Sequence, residues 1–402
     1  MELTAYQQEM LEGKYGKGKA MAMEILKTVG ESFEAKRMVP ISRAHVSLSA
    51  QDADVWFAEK MLTAGASCAV PPTVNPGYCL DFFRSRNMLD QKAIDHMEHT
   101  DRVYRALGAV MTYSCTPYLF GNIPHYGEIL SYSETSVSVY VNSVLGARTN
   151  RESLASSLCA AITGFTPEYG MLLPENRYAD ILVDVEAEMS SVFDYALLGL
   201  MGKKIGKGIP VFRGLPKEIC TEALIQLGAE LNVSGAYEMF HILGVTPDAP
   251  DLAAATSGKE PKRRVVITRA DLEEELARFS PALGEDIDFV ILGCPHYDYE
   301  QVKLVDDLLG EVPSKVPVWI HTSAEVAHLA GRTGVAQRLK EKNVELVPET
   351  CVDQACCWRP LAGKAGVSDS PKASYYMRTF GVRLAVRERE QCLRWAQKGK
   401  VE

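Results

Sequence analysis

The sequence predicts an α/β protein of parallel β-α units around a central cleft, and two observations carry that expectation. Beyond residue 262, four apolar runs follow one another: "RRVVIT", "IDFVILG", "VPVWIHT" and "VELVPE", the first three leading into amphipathic helical patterns. Continuous runs of Val, Ile and Leu mark strands buried on both faces, as parallel sheets require. The second observation is composition. The chain has 402 residues, 47% hydrophobic and 24% charged, which is enough ordinary globular sequence for two or three domains.

The elements can be justified in order. Thr4 caps an opening helix, and Met10, Leu11, Met21, Ile25 and Leu26 keep helical spacing. Residues 38–48 and 65–76 read as strands running into loops, and "QKAIDHMEHTDRVYRALGAV" as a helix. Helical patterns return over 152–164 and 185–201. The Gly/Lys-rich stretch 199–214 reads as loop then strand, and the segment from Pro216 as helix, turn and strand. Residues 251–264, "DLAAATSGKEPKRR", are small, polar and charged, which places a linker there between an N-terminal region (1–250) and a C-terminal β-α domain (265–402).

Composition also excludes classes. Net charge is −9, and the one dense basic run is Lys262-Arg263-Arg264, so no nucleic-acid partner is expected. No apolar stretch nears the ~20 residues of a membrane span, and the polar N-terminus lacks a signal-peptide core. A cytoplasmic protein is expected, its ten cysteines being thiols or metal ligands rather than disulfides.

Three of those cysteines share a setting. Cys115 follows "GAVMTYS", Cys294 follows "FVILG" and Cys351 follows "VELVPET", each at the end of a strand-like run. Ligands of parallel sheets bind beyond the carboxyl ends of the strands. Two readings stay open: three core thiols, or three ligands of one metal site. The gaps are 179 and 57 positions with no Cys-x-x-Cys pair, unlike a structural zinc site or a ferredoxin run. Dispersed thiolates suit a cluster in a central cleft, with one iron left open as a Lewis acid. Cys356 or Cys357 could replace Cys351, while Cys159, Cys220 and Cys392 lie in helical patterns and Cys68 and Cys79 flank a loop.

Residues 131–153 supply polar groups: Glu134, Ser136, Asn142, Ser143, Arg148, Thr149, Asn150 and Arg151. The Gly146–Arg151 turn reads either as an anion-binding turn or as an ordinary helix start capped by Asn150. "PEYGMLLPENR", "HTS" (321–323) and "SDSPK" (368–372) offer further polar groups.

These segments together resemble the catalytic, large-subunit part of the aconitase X family. The resemblance rests on "CTPYLFGNIPHYGE", "SVYVNSVLGARTNRE", "PEYG" with "PENR", "SGAYEMFHILGVTPDAP", "LGCPH" and "ETC", in family order over roughly residues 65–352. It implies an aconitase-like fold and an iron–sulfur hydro-lyase. Cys115, Cys294 and Cys351 become cluster ligands, with a four-iron cluster favoured over a two-iron one. Asn142, Ser143, Arg148, Thr149 and Arg151 are implied to line the substrate site, with Arg148 and Arg151 as anion clamps. The family's later "SxK…Y" segment corresponds here to Ser370, Lys372 and Tyr375 or Tyr376, which adds Ser370 to the substrate site and Lys372 to the catalytic groups.

The resemblance also implies a partner. Family members carry a small swivelling domain, fused or as a separate subunit, and it supplies a serine thought to act as base. No segment of this chain resembles it, so a subunit of about 100–150 residues is expected to complete the site. The chain alone is then expected to be inactive. Two substrates are implied: cis-3-hydroxy-L-proline, which is favoured, and mevalonate 5-phosphate, for which Lys203, Lys204 or Lys207 would add charge. Competing expectations are a non-catalytic iron–sulfur or zinc protein and a binding protein with reduced core thiols.

Overall fold

The computed structural model describes residues 1–48, 52–280, 282 and 284–401. Its chain forms three successive parallel sheets wrapped by helices. The first has the spatial order Thr73–Val74, Arg43–Val46, Leu130–Tyr132 (β1), with an antiparallel pair, Met38–Pro40 and Phe165–Pro167, beside it. The second runs His241–Ile242, Pro210–Arg213, Ile181–Val185, Arg263–Ile267 (β2). In the third, the order is Val344–Pro348 (β4), Val318–Thr322, Phe289–Tyr297 (β3), Ala365–Ser368 (β5), Arg383–Val386.

The linker expected at 251–264 is not a linker. Leu252–Thr256 is a helix, and β2 pairs along its whole length with Ile181–Val185. Both belong to the second unit. The physical reason lies in the position of β2 at a sheet edge, where Arg263, Arg264 and Val266 face solvent while Val265 and Ile267 face the core. The polar run is a short helix and turn leading into that edge strand, and the expected C-terminal domain begins too early by one β-α unit.

The third sheet starts at its centre. The chain lays down β3, moves outward through Val318–Thr322 to β4, then crosses back to β5 on the other side of β3. Strand order therefore reverses between β3 and β5, the place where such sheets open a crevice.

Three helices point at that crevice: α1 (Thr135–Ser143), α2 (Thr221–Gly235) and α3 (Pro371–Met377). Glu134 caps α1 by accepting from the Val137 N–H at 2.5 Å, and Ser370 caps α3 by accepting from the Ala373 N–H at 3.2 Å, with Pro371 in the first turn. Apolar packing joins the units. Phe83 and Leu158 of the first share a cluster with Phe289 and Trp358 of the third, and Val137 and Val139 of α1 pack into the cluster of Leu227 and Leu231 of α2. Among the described residues no helix is long and apolar enough to cross a membrane.

Candidate active site

Cys294 reaches the crevice because Gly293 precedes it. Gly293 has φ +88°, and a Cβ there would stand 2.2 Å from the His321 carbonyl oxygen, so only glycine lets β3 run this close to its neighbour. Cys351 follows β4, and its N–H donates to the Gly77 carbonyl at 3.1 Å, which ties it to the first unit. Cys115 comes from that unit, and its Sγ accepts the His296 N–H at 3.3 Å. The structure thus brings the three predicted thiols together at one junction. None is in a disulfide.

Burial pushes the Cys115 thiol up to about 12 and raises Cys294 and Cys351 further, while the Lys372 ammonium opposes the rise at Cys115 and Cys294. Cys351 senses the charge of both other cysteines. Neighbouring thiols, Cys115 and Cys294 buried and Cys351 half-buried, gain most from losing their protons to a metal. Yet no three His, Cys, Asp or Glu side chains among the described residues converge tightly enough for a single ion. Thiols that are neighbours without converging fit a group of several irons, in which each thiolate takes its own metal.

Lys372 lies at the same junction. Its Nζ donates to Ser136 Oγ at 2.6 Å and to Glu134 Oε1 at 3.2 Å, and all three residues are buried. Burial alone would lower the Lys372 pKa, but Glu134 and the nearby cysteines carry it well above the usual lysine value. At Glu134, burial raises and Lys372 lowers, and the net shift is downward. The pair is a locked ammonium–carboxylate. The backbone N–H of Lys372 donates to Glu230 Oε1 of α2 at 2.8 Å. Behind it, Tyr297 donates to Asp369, and Arg389 Nε donates to the Tyr297 hydroxyl at 2.6 Å while pairing with Glu222.

The remaining predicted residues divide. Asn142, Ser143, Thr149 and Ser370 are buried at 0–1% exposure, and their hydrogen bonds serve the backbone. Asn142 Nδ2 donates to the Thr149 and Glu238 carbonyls, Ser143 Oγ accepts from Phe240, and Thr149 Oγ1 accepts from Tyr132. Asn142 and Thr149 brace the turn that presents Arg148 and Arg151, Ser143 ties the end of α1 to Phe240, and Ser370 caps α3. That turn runs beside β1, with the Leu130 N–H donating to the Arg148 carbonyl and the Glu152 N–H to the Tyr132 carbonyl. Ser153, not Asn150, caps the helix that follows. Arg148 donates to the Leu172 carbonyl at 3.3 Å and Arg151 to the Ala236 carbonyl at 3.1 Å. Neither forms an ion pair with a carboxylate among the described residues. Lys204 pairs instead with Asp271 of the helix Arg269–Phe279, so the phosphate role expected for that loop has no support at the junction.

Glu230 and the Asp369–Arg389 network were not visible as site residues in the sequence. The available signal for Glu230 was one carboxylate inside the apolar stretch "ALIQLGAELNV".

Comparison with known proteins gives the same outline. Models of the first, second and third domains of aconitase X match residues 1–175, 179–277 and 287–398, in step with the three sheets. The large subunit of phosphomevalonate dehydratase from Thermococcus kodakarensis is 34% identical, with 98% of this chain and 100% of that one covered. A cis-3-hydroxy-L-proline dehydratase from Pseudomonas aeruginosa is 33% identical over 93% of this chain and 66% of its own length. The crystal structure of Thermococcus kodakaraensis aconitase X in its holo form superimposes with a TM-score of 0.89 at 33% identity, covering 98% of this chain.

Proposed function

The chain belongs to the aconitase X family, and from that premise we propose that it is the large subunit of a hydro-lyase dehydrating a small β-hydroxy acid. The observation that carries this reading is the meeting of Cys115, Cys294 and Cys351 beside the Lys372–Glu134 pair. An iron–sulfur cluster held by the three thiolates would supply a Lewis-acid iron for the departing hydroxyl.

The chain's own residues would do the rest of the positioning. Lys372, kept as an ammonium by Glu134, is a fixed donor beside the reacting carbons and not a base. Its charge stabilises an anion forming next to it. Arg148 and Arg151 present guanidinium groups to the substrate's anionic ends. The base comes from the small subunit expected from the resemblance, and the "large subunit" names of the relatives support such a partner.

Two guanidinium groups without carboxylate partners favour a doubly anionic substrate, and mevalonate 5-phosphate carries a carboxylate and a phosphate. This moves the preference away from cis-3-hydroxy-L-proline, in line with the names of several relatives. One observation keeps the amino acid as a second reading: Glu238 lies close enough to Arg151 to sense its charge and could face a substrate ammonium.

The test is anaerobic co-expression with the small subunit, iron and sulfide analysis, and water elimination measured on both substrates. Iron with sulfide that falls in Cys115→Ser, Cys294→Ser and Cys351→Ser, together with turnover, is the expected result. A folded complex without iron that dehydrates neither substrate overturns the reading. Iron without turnover leaves the non-catalytic metal protein in its place.

A further inference from the structure

We propose that Glu230 is a positioning residue: by accepting the backbone N–H of Lys372 it fixes the first turn of α3 and so holds the Lys372 ammonium on Glu134 and Ser136. The inference rests on the reading of Lys372 as a site residue, but Glu230 touches neither substrate nor reacting atoms and belongs to a different unit.

A helix begins with N–H groups that have no partner within it. In α3 the first position is Pro371, which has none, and Ser370 Oγ takes the N–H of Ala373. Lys372 is left with the first free donor of the helix, and a carboxyl of the second unit meets it at 2.8 Å. The side chain of the same residue is held by the first unit, through Ser136 at 2.6 Å and Glu134 at 3.2 Å. Lys372 is thus pinned at its backbone by one unit and at its ammonium by another, while its helix belongs to the third.

The choice of a carboxyl is costly at this place. Glu230 is 0% exposed, one turn beyond the buried Gln226 and flanked by Leu227 and Leu231, and its Oε2 has no hydrogen-bond partner. A residue serving packing alone would be apolar. Burial moves its pKa up to about 8, against the opposing pull of Lys372, so near neutrality the acid form serves as the acceptor. An amide of the same reach would accept equally well, whereas a shorter acid would not reach. Reach and acidity can therefore be separated.

The experiment compares the wild-type complex with Glu230→Gln, Glu230→Asp and Glu230→Leu, each with its small subunit. Three readouts are taken: kcat and KM, iron content, and the rate at which acetic anhydride labels Lys372, followed by mass spectrometry. Glu230→Gln is expected to keep kcat within roughly threefold. Glu230→Asp and Glu230→Leu are expected to lose about 100-fold in kcat with KM and iron content little changed, as a displaced reacting group would. In those two variants Lys372 should also be labelled several-fold faster. If Asp behaves as wild type while Gln fails, Glu230 acts through its acidity and the proposal is overturned. Wild-type kinetics and labelling in Glu230→Asp and Glu230→Leu overturn it too. Should the Leu variant not fold, the contrast of Asp with Gln still decides. A wild-type complex that dehydrates neither substrate would defeat the functional reading, and the labelling rates would still test the positioning by themselves.

Discussion

Lys372 and the Arg148–Arg151 turn carry the cations assigned to the site, and their surroundings are opposite. Lys372 is buried, paired with Glu134 and bonded to Ser136. Arg148 is half-buried and Arg151 exposed, and each bonds a single carbonyl. A buried ammonium paired with a carboxylate is fixed in place and does not reach out to capture a substrate. Exposed guanidinium groups held only by carbonyls keep their charge for an incoming anion. The contrast separates a rigid interior from a receptive rim.

The hardest test of that contrast is Lys372→Met, which keeps the apolar stem and strands Glu134. The expected loss is about 3–5 kcal/mol of stability, read by urea unfolding, because one half of a buried pair is left uncompensated. A loss below ~1 kcal/mol would place Lys372 with the exposed cations instead.

Acid probes the interior by another route. Burial holds His45 down at about 4, despite the pull of Glu134, and His321 at about 3. Both start from 6.5 in the unfolded chain, so the unfolded state binds the extra protons. Their contribution is complete above pH 6.5 and drains away as pH falls through the folded values. Between pH 7 and pH 5 each should remove about 2 kcal/mol, seen as a falling urea midpoint, and His45→Gln should flatten the slope. An unchanged midpoint would mean that the interior admits protons freely.

Asn142→Ala asks whether the braces of the turn are structural. Losing its bonds to Thr149 and the Glu238 carbonyl should cost about 1–3 kcal/mol and affect KM little. A large KM change at constant stability would restore Asn142 to the substrate site.

At the rim the expectation is inverted. Arg148→Ala and Arg151→Ala should each raise KM about tenfold, equivalent to about 1.4 kcal/mol, and leave stability within about 0.5 kcal/mol. If both variants bind substrate normally, the receptive rim lies elsewhere.

How much of this was legible follows from burial. Three strands of the third sheet could be read directly: those within "FVILG" and "VPVWIH" are buried throughout, and "VELVPE" holds a half-buried edge strand, whereas the four-residue strands Ala365–Ser368 and Arg383–Val386 went unread. In the first sheet, Arg43–Val46 and Thr73–Val74 lie within the stretches 38–48 and 65–76 read as strands, but Leu130–Tyr132 was missed, because three residues leave no period to detect. β2 was read as a strand, but the polar run before it, which holds the helix Leu252–Thr256, passed for a linker. In the site, the run before Cys115 forms only an isolated bridge at Val110 and not the expected strand, whereas Cys294 in β3 and Cys351 just after β4 announced themselves by position and Arg148 and Arg151 by their motif. Glu230 did not, since a carboxylate within a helix is ordinary until its burial and its distant partner are known. The hydrogen bonds of Asn142, Ser143 and Thr149 to backbone were not legible for a related reason: a motif holds both what touches a ligand and what shapes the loop that does.

The order in which the chain is made gives the junction a further meaning. Glu134 and Glu230 leave the ribosome well before Lys372, so two carboxylates destined for the interior must wait for the residue that joins them. Until α3 docks, neither can be sealed from water cheaply. The segment that closes the interior is thus made long after the carboxylates it covers, and a chain interrupted before Pro371 would stay open where the finished protein is tightest.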